Sequence, residues 1–530
     1  MSLAKSWIKT CTESHDGCHS PSGSTSFIPT RLVEVLGAQT ARLNISSVHE
    51  SNSSYLTLSH CWGKEWFPTL TKENLEAMVM RIEVESLPRN FQDAICITFM
   101  LGYKYIRIDS LCIIQNSHDD WAHEAALMAR VYHNSTLTIA AAAAFNAFDG
   151  CFRDRSETAL LLAGHSFPDI AGRNVVITSI TAAGQRSTAR QNTLQTRGWV
   201  LQEELLSRRI LHLTADGLFW ECEEHSASEL QPQGLQRNAV EDKRSINRAF
   251  ALPASAGRPS PFAQMDPWGV TWAAIVRDFS DRNLTQPSDK LVALSGVASM
   301  MSQHFGSARY LAGLWDYDLL VGICWSSACK NQHTRPSTYR APSWSWASLD
   351  GPVTLRRFHL APRDTVIYYT ELLDADITPA GLDPFGPVTA GYLKLSAAML
   401  EVHVRIRDLQ RHHTQYFISF EENQLVDWFK FRWYRCEHVV YLDVRSEHSL
   451  DGSRPLQAVL VPVFCRVNKT VDGSIHATEI CFLLLQHILP VQAPEHQKFR
   501  RIGLVSVHNL GVAPDPFWSS EFPRHVITII

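Results

Sequence analysis

A chain of 530 residues exceeds the ~100–200 typical of one domain, so two or three domains are expected. Apolar types at 45% against 19% charged can fill large cores, which excludes a mostly disordered protein. With 49 basic and 53 acidic side chains the net charge is −4, so no overall positive field favours nucleic acid or an anionic membrane. Small molecules or proteins are the expected partners.

The opening stretch MSLAKSWIKTCTESHDG lacks the apolar segment of a secretory signal, and no run reaches the ~18 apolar residues that cross a bilayer. The 12 cysteines are scattered without a CxxC pair, which points to reduced thiols in a cytosolic or nuclear protein, with a cytoplasmic location the expectation. Residues 1–50 read as an N-terminal extension. Within it Cys11, His15, Cys18 and His19 are soft metal ligands, but their C-x3-H-x2-C-H spacing is cramped for two knuckles and no second pair follows. A small helix packed through Trp7 is the expectation there, with no metal site.

Residues 51–225 read as an α/β domain. Tyr55 to His60 alternates like a strand and runs into the turn Cys61-Trp62-Gly63. Pro88 opens a helix with Phe91, Ala94, Ile95 and Phe99 at helical spacing, closed by Gly102. Tyr105 to Ile114 predicts a second strand. Asp119-Asp120 caps a helix from Trp121 to Tyr132, and Thr136 to Ala144 predicts a third strand. This alternation implies a parallel sheet with helices on both faces. A short helix near Arg197 to Arg209 and strands at Ile210 to Leu213 and Leu218 to Cys222 follow.

Composition shifts to Gln, Pro, Ser and Gly near residue 226, so residues 226–270 read as a loop or linker. Residues 271–350 read as a helical, Trp-rich region in which Trp344 and Trp346 alternate on a short strand as core residues. Residues 351–530 show mostly period-two patterns and read as a β-rich domain.

Ligands of an open parallel sheet collect beyond the carboxyl ends of its strands. Two polar clusters fall there: Ser59, His60, Cys61, Trp62 and Gly63, and then Asp109, Ser110 and Cys112. Asp109 interrupts an apolar strand and is either a loop anchor or a ligand contact. Glu124 lies within the apolar stripe of Trp121, Leu127, Met128 and Val131. An unpaired ionised carboxylate there would cost several kcal/mol. It therefore pairs with a cation such as Arg130 or Arg197, or it faces a ligand. Cys61 with His60, or Cys112 with His118 or His123, could make a thiolate–imidazole pair, but neighbours on a strand point to opposite faces and packed thiols are the commoner outcome. GxSxG, GxGxxG and GxxxxGKS motifs do not occur, which excludes the common hydrolase, dehydrogenase and P-loop patterns.

The blocks LSHCWG (Leu58 to Gly63), LPRNFQDAI (Leu87 to Ile95), LGYKYIRIDSLCIIQ (Leu101 to Gln115), DDWAHEAALMARVYHNSTLTIAA (Asp119 to Ala141), RGWVLQEELLSRR (Arg197 to Arg209) and FWEC (Phe219 to Cys222) resemble the fungal heterokaryon-incompatibility (HET) domain. SDKLVALSG, YLAGLW and PSWSWASLDG resemble the segments that usually follow it. The resemblance implies a cytosolic protein of fungal nonself recognition and regulated cell death. It further implies distant kinship with Toll/interleukin-receptor (TIR) domains, a flavodoxin-like fold. Catalytic TIR domains cleave NAD at the nicotinamide–ribose bond with a helical Glu in a Trp-x-x-Glu pattern, which Trp121-Ala-His-Glu124 resembles. His60, Arg107 and Glu204 depart from the residues usual in the family.

Three functions are open at this point. The domain binds or hydrolyses NAD-like nucleotides, with Glu124 catalytic and Ser59, His60, Cys61, Trp62, Gly63, Asp109, Ser110, Cys112, Trp121 and Arg197 binding substrate; NAD is then a substrate, and no resident cofactor is expected. Alternatively it is a non-catalytic module for protein partners or self-association. As a third reading it is a stand-alone HET-like protein of a secondary-metabolite pathway that acts on a small metabolite.

Overall fold

The computed structural model describes residues 1–18, 27–45, 54–152, 166–168, 174–176, 193–234, 267–327, 333–356, 364–409, 413–420, 437–444, 455–469, 475–488, 497–508 and 523–530. The chain divides into two compact units, Met1–Leu252 and Pro253–Ile530. Most of the stretch read as a linker, and His19, lie outside the described residues. No helix among the described residues is long and apolar enough to cross a membrane.

In the first unit, residues read as an N-terminal extension supply helix α1 (Ser2–Ser14) and the hairpin β1 (Arg31–Gly37) and β2 (Thr40–Ile45). The further strands are β3 (Tyr55–Ser59), β4 (Tyr105–Arg107), β5 (Leu137–Ala140), β6 (Arg209–Thr214), β7 (Gly217–Cys222) and β8 (Ser226–Ser228). They form one mixed sheet of 8 strands in the order β8-β7-β6-β5-β3-β4-β1-β2. The four central strands, β6, β5, β3 and β4, are parallel, and antiparallel strands extend both ends.

Helix α2 (Arg89–Leu101) crosses from β3 to β4, and α4 (His118–Asn134) crosses from β4 to β5 on the other side of β3. Right-handed crossovers that reverse direction put their helices on opposite faces. The side chains agree. On one face Leu56, Leu58, Ile106, Ile108, Leu137 and Ile139 join a single apolar core with Trp7 of α1 and with Phe91 and Ile95 of α2. Gly102, at φ 89°, ends α2 in a left-handed cap, as its type predicts, while Phe99 turns outward and is half exposed.

The opposite face is polar. Thr57 and Thr138 hydroxyls lie 2.7 Å apart on adjacent strands, Thr138 reaches Ser207 at 2.6 Å, and Tyr55 donates to the Val131 carbonyl of α4 at 2.7 Å. Helix α5 (Gly198–Leu206) packs beside α4 on this side. A helix laid on such a face carries polar groups inward, which is why a carboxylate sits within the buried stripe of α4.

The strand expected from Tyr105 to Ile114 is shorter. It ends at Arg107, and Asp109–Cys112 form the one-turn helix α3. The apolar residues Leu111 and Cys112 look strand-like in sequence because both are buried, but a helical turn buries them as well. Helix α4 also begins earlier than expected: Ser117 is its N-cap, with Asp119 and Asp120 inside the first turn.

The second unit contains a 10-stranded, almost wholly antiparallel sheet, with strands such as Leu456–Lys469, Ile475–His487 and Lys498–His508 adjacent in it. Its Trp-rich part includes helices Pro267–Asp281 and Val292–Ser302. Trp344 and Trp346 are fully buried, as expected, but Trp344 lies on a turn and Trp346 opens the 3-10 segment Trp346–Ser348, so neither is on a strand. Both Trp272 and Trp346 donate to the Gly313 carbonyl, at 3.0 and 2.9 Å.

Candidate functional site

The carboxyl ends of β3 and β4 carry most of the residues singled out above. β3 lies between β4 and β5, and the chain visits β4 first, so the strand order reverses beside β3. Loops splay apart at such a point and leave a crevice for ligands.

Glu124 is fully buried and both its oxygens are engaged. Arg107, from β4, donates through Nη2 to Oε2 at 2.9 Å, and Arg31, from β1, lies 3.2 Å from Oε1. The Thr30 hydroxyl donates to Oε1 as well. The partners differ from those the sequence suggested: Arg130 instead lies over the ring of Phe27, and Arg197 donates to the His60 carbonyl. A pairing between α4 and two distant strands leaves no mark in local sequence.

The network continues outward. Arg31 Nη2 reaches both oxygens of Asp120 at 2.7 and 2.6 Å, and its Nε donates to the Cys112 carbonyl at 2.6 Å. Arg107 Nε lies 3.3 Å from Asp109, whose side chain is 17% exposed. Burial pulls the Arg107 pKa down, yet Cys112, Asp109 and Glu124 outweigh it and the net shift is upward. Two guanidinium groups thus hold three carboxylates: Glu124 is fully buried, whereas Asp109 and Asp120 are 17% and 18% exposed.

A second buried carboxyl, Glu203 of α5, completes the cluster. Burial and the neighbouring Asp109 charge push it up to about 7, against Ser59, Arg197 and Tyr132, which favour its ionised form. Its Oε2 and the Ser59 and Ser110 hydroxyls are buried without a hydrogen-bond partner of ordinary geometry. The sequence reading passed over Glu203 in favour of its neighbour Glu204, which is half-buried and accepts a hydrogen bond from Gln195 at 2.7 Å. The available signal was spacing: Val200 and Glu203, three apart on one helix, share a face.

The remaining candidates divide by side of the sheet. His60 packs edge-on against Phe91 at 4.9 Å and stacks with Trp62 at 6.2 Å, and burial pulls its pKa down to about 3, so it is neutral. Cys61 turns the other way, into a cluster with Ala140, Val200 and Ile210. Burial pushes the Cys61 and Cys112 thiols up to about 11 each, which keeps both protonated and poor nucleophiles. Trp121 sits half-buried at the start of α4, beside His118. Gly63 adopts φ 78°, and a Cβ on it would stand 2.6 Å from the Asn146 side chain, so the turn after β3 and the loop after β5 meet here only because this residue is glycine.

Residues 55–203 match the family model described as Heterokaryon incompatibility protein (HET). Neither a curated protein nor a solved structure gives a significant match. The matched span begins at the first residue of β3 and ends at Glu203, so it holds β3, β4, β5, α4 and the carboxylate cluster between them. Residues 55–203 of this chain are a heterokaryon-incompatibility (HET) domain.

Proposed function

We propose that the chain acts in fungal heterokaryon incompatibility, in nonself recognition coupled to regulated cell death, and that its HET domain takes an NAD-like nucleotide at the carboxyl ends of β3 and β4. The observation that carries this reading is Glu203: a buried carboxyl with one unpartnered oxygen and a pKa near 7, beside Ser59 and the partly exposed Asp109. Pairs of carboxyls with such different surroundings are suited to acid–base work near neutral pH. The TIR-like resemblance and the reversal of strand order beside β3 support a flavodoxin-like ligand position.

In this reading the roles shift along the cluster. Glu124, with both oxygens held by Arg107 and Arg31, is a positioning residue that fixes Arg107 and through it Asp109. Asp109 offers negative charge to the ribosyl centre, which becomes cationic as its bond to nicotinamide breaks. Water adds to that carbon, nicotinamide leaves, and the water proton passes to Glu203. Arg197 and Trp62 supply the charge and the aromatic surface for the nucleotide.

The test is nicotinamide release from NAD by the purified full chain. Release by the wild type that falls at least about 100-fold in Glu203→Gln is the expected result. No release above a heat-inactivated control, or equal release by Glu203→Gln, overturns the reading. A non-catalytic interaction role is favoured by one observation: Trp66 and Phe145, on the loops that follow β3 and β5, are 85% and 69% exposed. That role predicts cell death on overexpression that survives Glu203→Gln and is lost in Trp66→Ser/Phe145→Ser.

A further inference from the structure

Far from the carboxylate cluster, the fold brings four soft ligands together. Cys11 lies in the last turns of α1, His15 is the residue that ends that helix, and Cys18 closes the following 3-10 turn. Spacings of four and three residues place all three on one side of the chain. The fourth ligand comes from the end of β7: Cys222. One ligand atom from each of the four lies within 4.8 Å of every other, and the three cysteines are buried.

We propose that Cys11, His15, Cys18 and Cys222 form a structural zinc site that fastens α1 to the β-sheet. A tetrahedral site with Zn–N near 2.0 Å and Zn–S near 2.3 Å sets its nitrogen and sulfur roughly 3.5 Å apart. His15 Nδ1 and Cys222 Sγ stand 3.4 Å apart. Three thiolates and one imidazole in tetrahedral disposition suit zinc above the harder divalent ions, and four protein ligands make a closed, structural site rather than a catalytic one.

The surroundings have the features of an outer shell. The His225 backbone N–H donates to Cys222 Sγ at 3.2 Å, and Arg209 Nε lies 3.1 Å from Cys11 Sγ while its Nη2 donates to the Cys18 carbonyl at 2.9 Å. A divalent ion with three thiolates carries one net negative charge, which the Arg209 guanidinium offsets. These groups also fix the ligands' orientation, as outer-shell partners do.

The site has mechanical sense. Helix α1 also packs into the apolar core through Ala4, Trp7 and Ile8, with the Trp7 indole 6.2 Å from Trp220 and donating to the Pro232 carbonyl at 2.9 Å, and the Gly17 N–H just after the helix donates to Glu224. Zinc would add a tie between the C-terminal end of α1 and the end of β7. The sequence showed only the N-terminal ligands; Cys222 supplies the missing one from the hairpin that contains FWEC.

The experiment is metal analysis of the purified full chain, with zinc in the growth medium and reductant throughout. The expected result is about one zinc per chain that survives dialysis, falling at least tenfold in Cys222→Ser and unchanged in Cys96→Ser, a cysteine on α2 outside the cluster. Arg209→Met should weaken binding by about 10–100-fold. Should Cys222→Ser fail to fold, cobalt exchange into the wild type decides without a variant: a thiolate-to-metal charge-transfer band with strong tetrahedral d–d absorption is expected, and chelation should change the fluorescence of the Trp7–Trp220 pair. Metal-free protein after reconstitution, a six-coordinate cobalt spectrum, or a disulfide among Cys11, Cys18 and Cys222 in freshly reduced protein overturns the proposal.

Discussion

Arg107 and Glu124 meet 2.9 Å apart with side chains that are 1% and 0% exposed, one from the parallel strand β4 and the other from the helix that leaves it. Each is an ion moved out of water, so the pair is stable only as a pair. Removing one partner strands the other charge at a cost of about 3–5 kcal/mol. Arg107→Met and Glu124→Leu should each destabilise the first unit by that order, whereas the double variant should recover much of the loss because Arg31 keeps Asp120. A double-mutant cycle in denaturant measures the coupling; additive effects would show that the two charges do not depend on each other.

Glu203 gives the first unit a pH dependence of definite sign. Its folded pKa, near 7, lies above the 4.5 of an ordinary glutamate, because burial penalises the charged form and Asp109 adds repulsion. The folded state therefore binds the extra proton between these values, and the stabilisation is full below about 4.5 and lost as pH rises through 7. The shift amounts to about 3 kcal/mol. Glu203→Gln should remove that part of the decline, which urea midpoints at pH 5 and pH 8 would show; an identical slope in wild type and variant contradicts the assignment.

Local pattern carried the order of β3, α2, β4, α4 and β5, because Leu56, Leu58, Ile95 and Ile139 all serve one apolar core and repeat at the spacings of their elements. It marked Glu124 as anomalous for a sound physical reason, but not as the partner of Arg107 and Arg31, since those contacts join residues far apart in the chain. It extended β4 too far because a buried turn and a buried strand share a composition at Leu111 and Cys112. Cys222 read as the end of a strand, and nothing near it announced Cys11, His15 and Cys18. What depends on spacing within one element was legible; what depends on two elements meeting was not.

Gly63 is a strict requirement of the turn that follows β3. Its φ of 78° disfavours any side chain, and an added Cβ would meet Asn146 at 2.6 Å. Gly63→Ala should cost on the order of 1–3 kcal/mol and separate the loops that frame the carboxyl ends of β3 and β5. The atom met is the Asn146 Cβ, which alanine would keep, so Asn146→Gly is the change that relieves the contact but not the backbone strain at residue 63, and the double variant should recover only part of the loss. Full recovery in thermal unfolding would assign the whole cost to contact and none to φ.

In the second unit Lys290 is an amine buried at 4% exposure, its Nζ donating to the Leu349 carbonyl and lying 5.4 Å from the Trp346 ring centre. Burial, and then the Arg340 charge, pull its pKa from 10.5 to about 7 despite the opposing pull of Asp350. The unfolded chain keeps the proton to much higher pH, so between about 7 and 10.5 it binds more protons than the folded one and stability rises with pH across that window. Below 7 the full penalty applies, at most about 5 kcal/mol. Lys290→Met removes the titrating amine and should flatten the rise, leaving the variant more stable than wild type near pH 6.5 and closest to it near pH 10. Unfolding of the full chain followed through the buried tryptophans at those two pH values tests this. A wild-type stability that falls with pH over this range would mean that the amine stays protonated in the fold and that the Leu349 carbonyl and the Trp346 ring outweigh its desolvation.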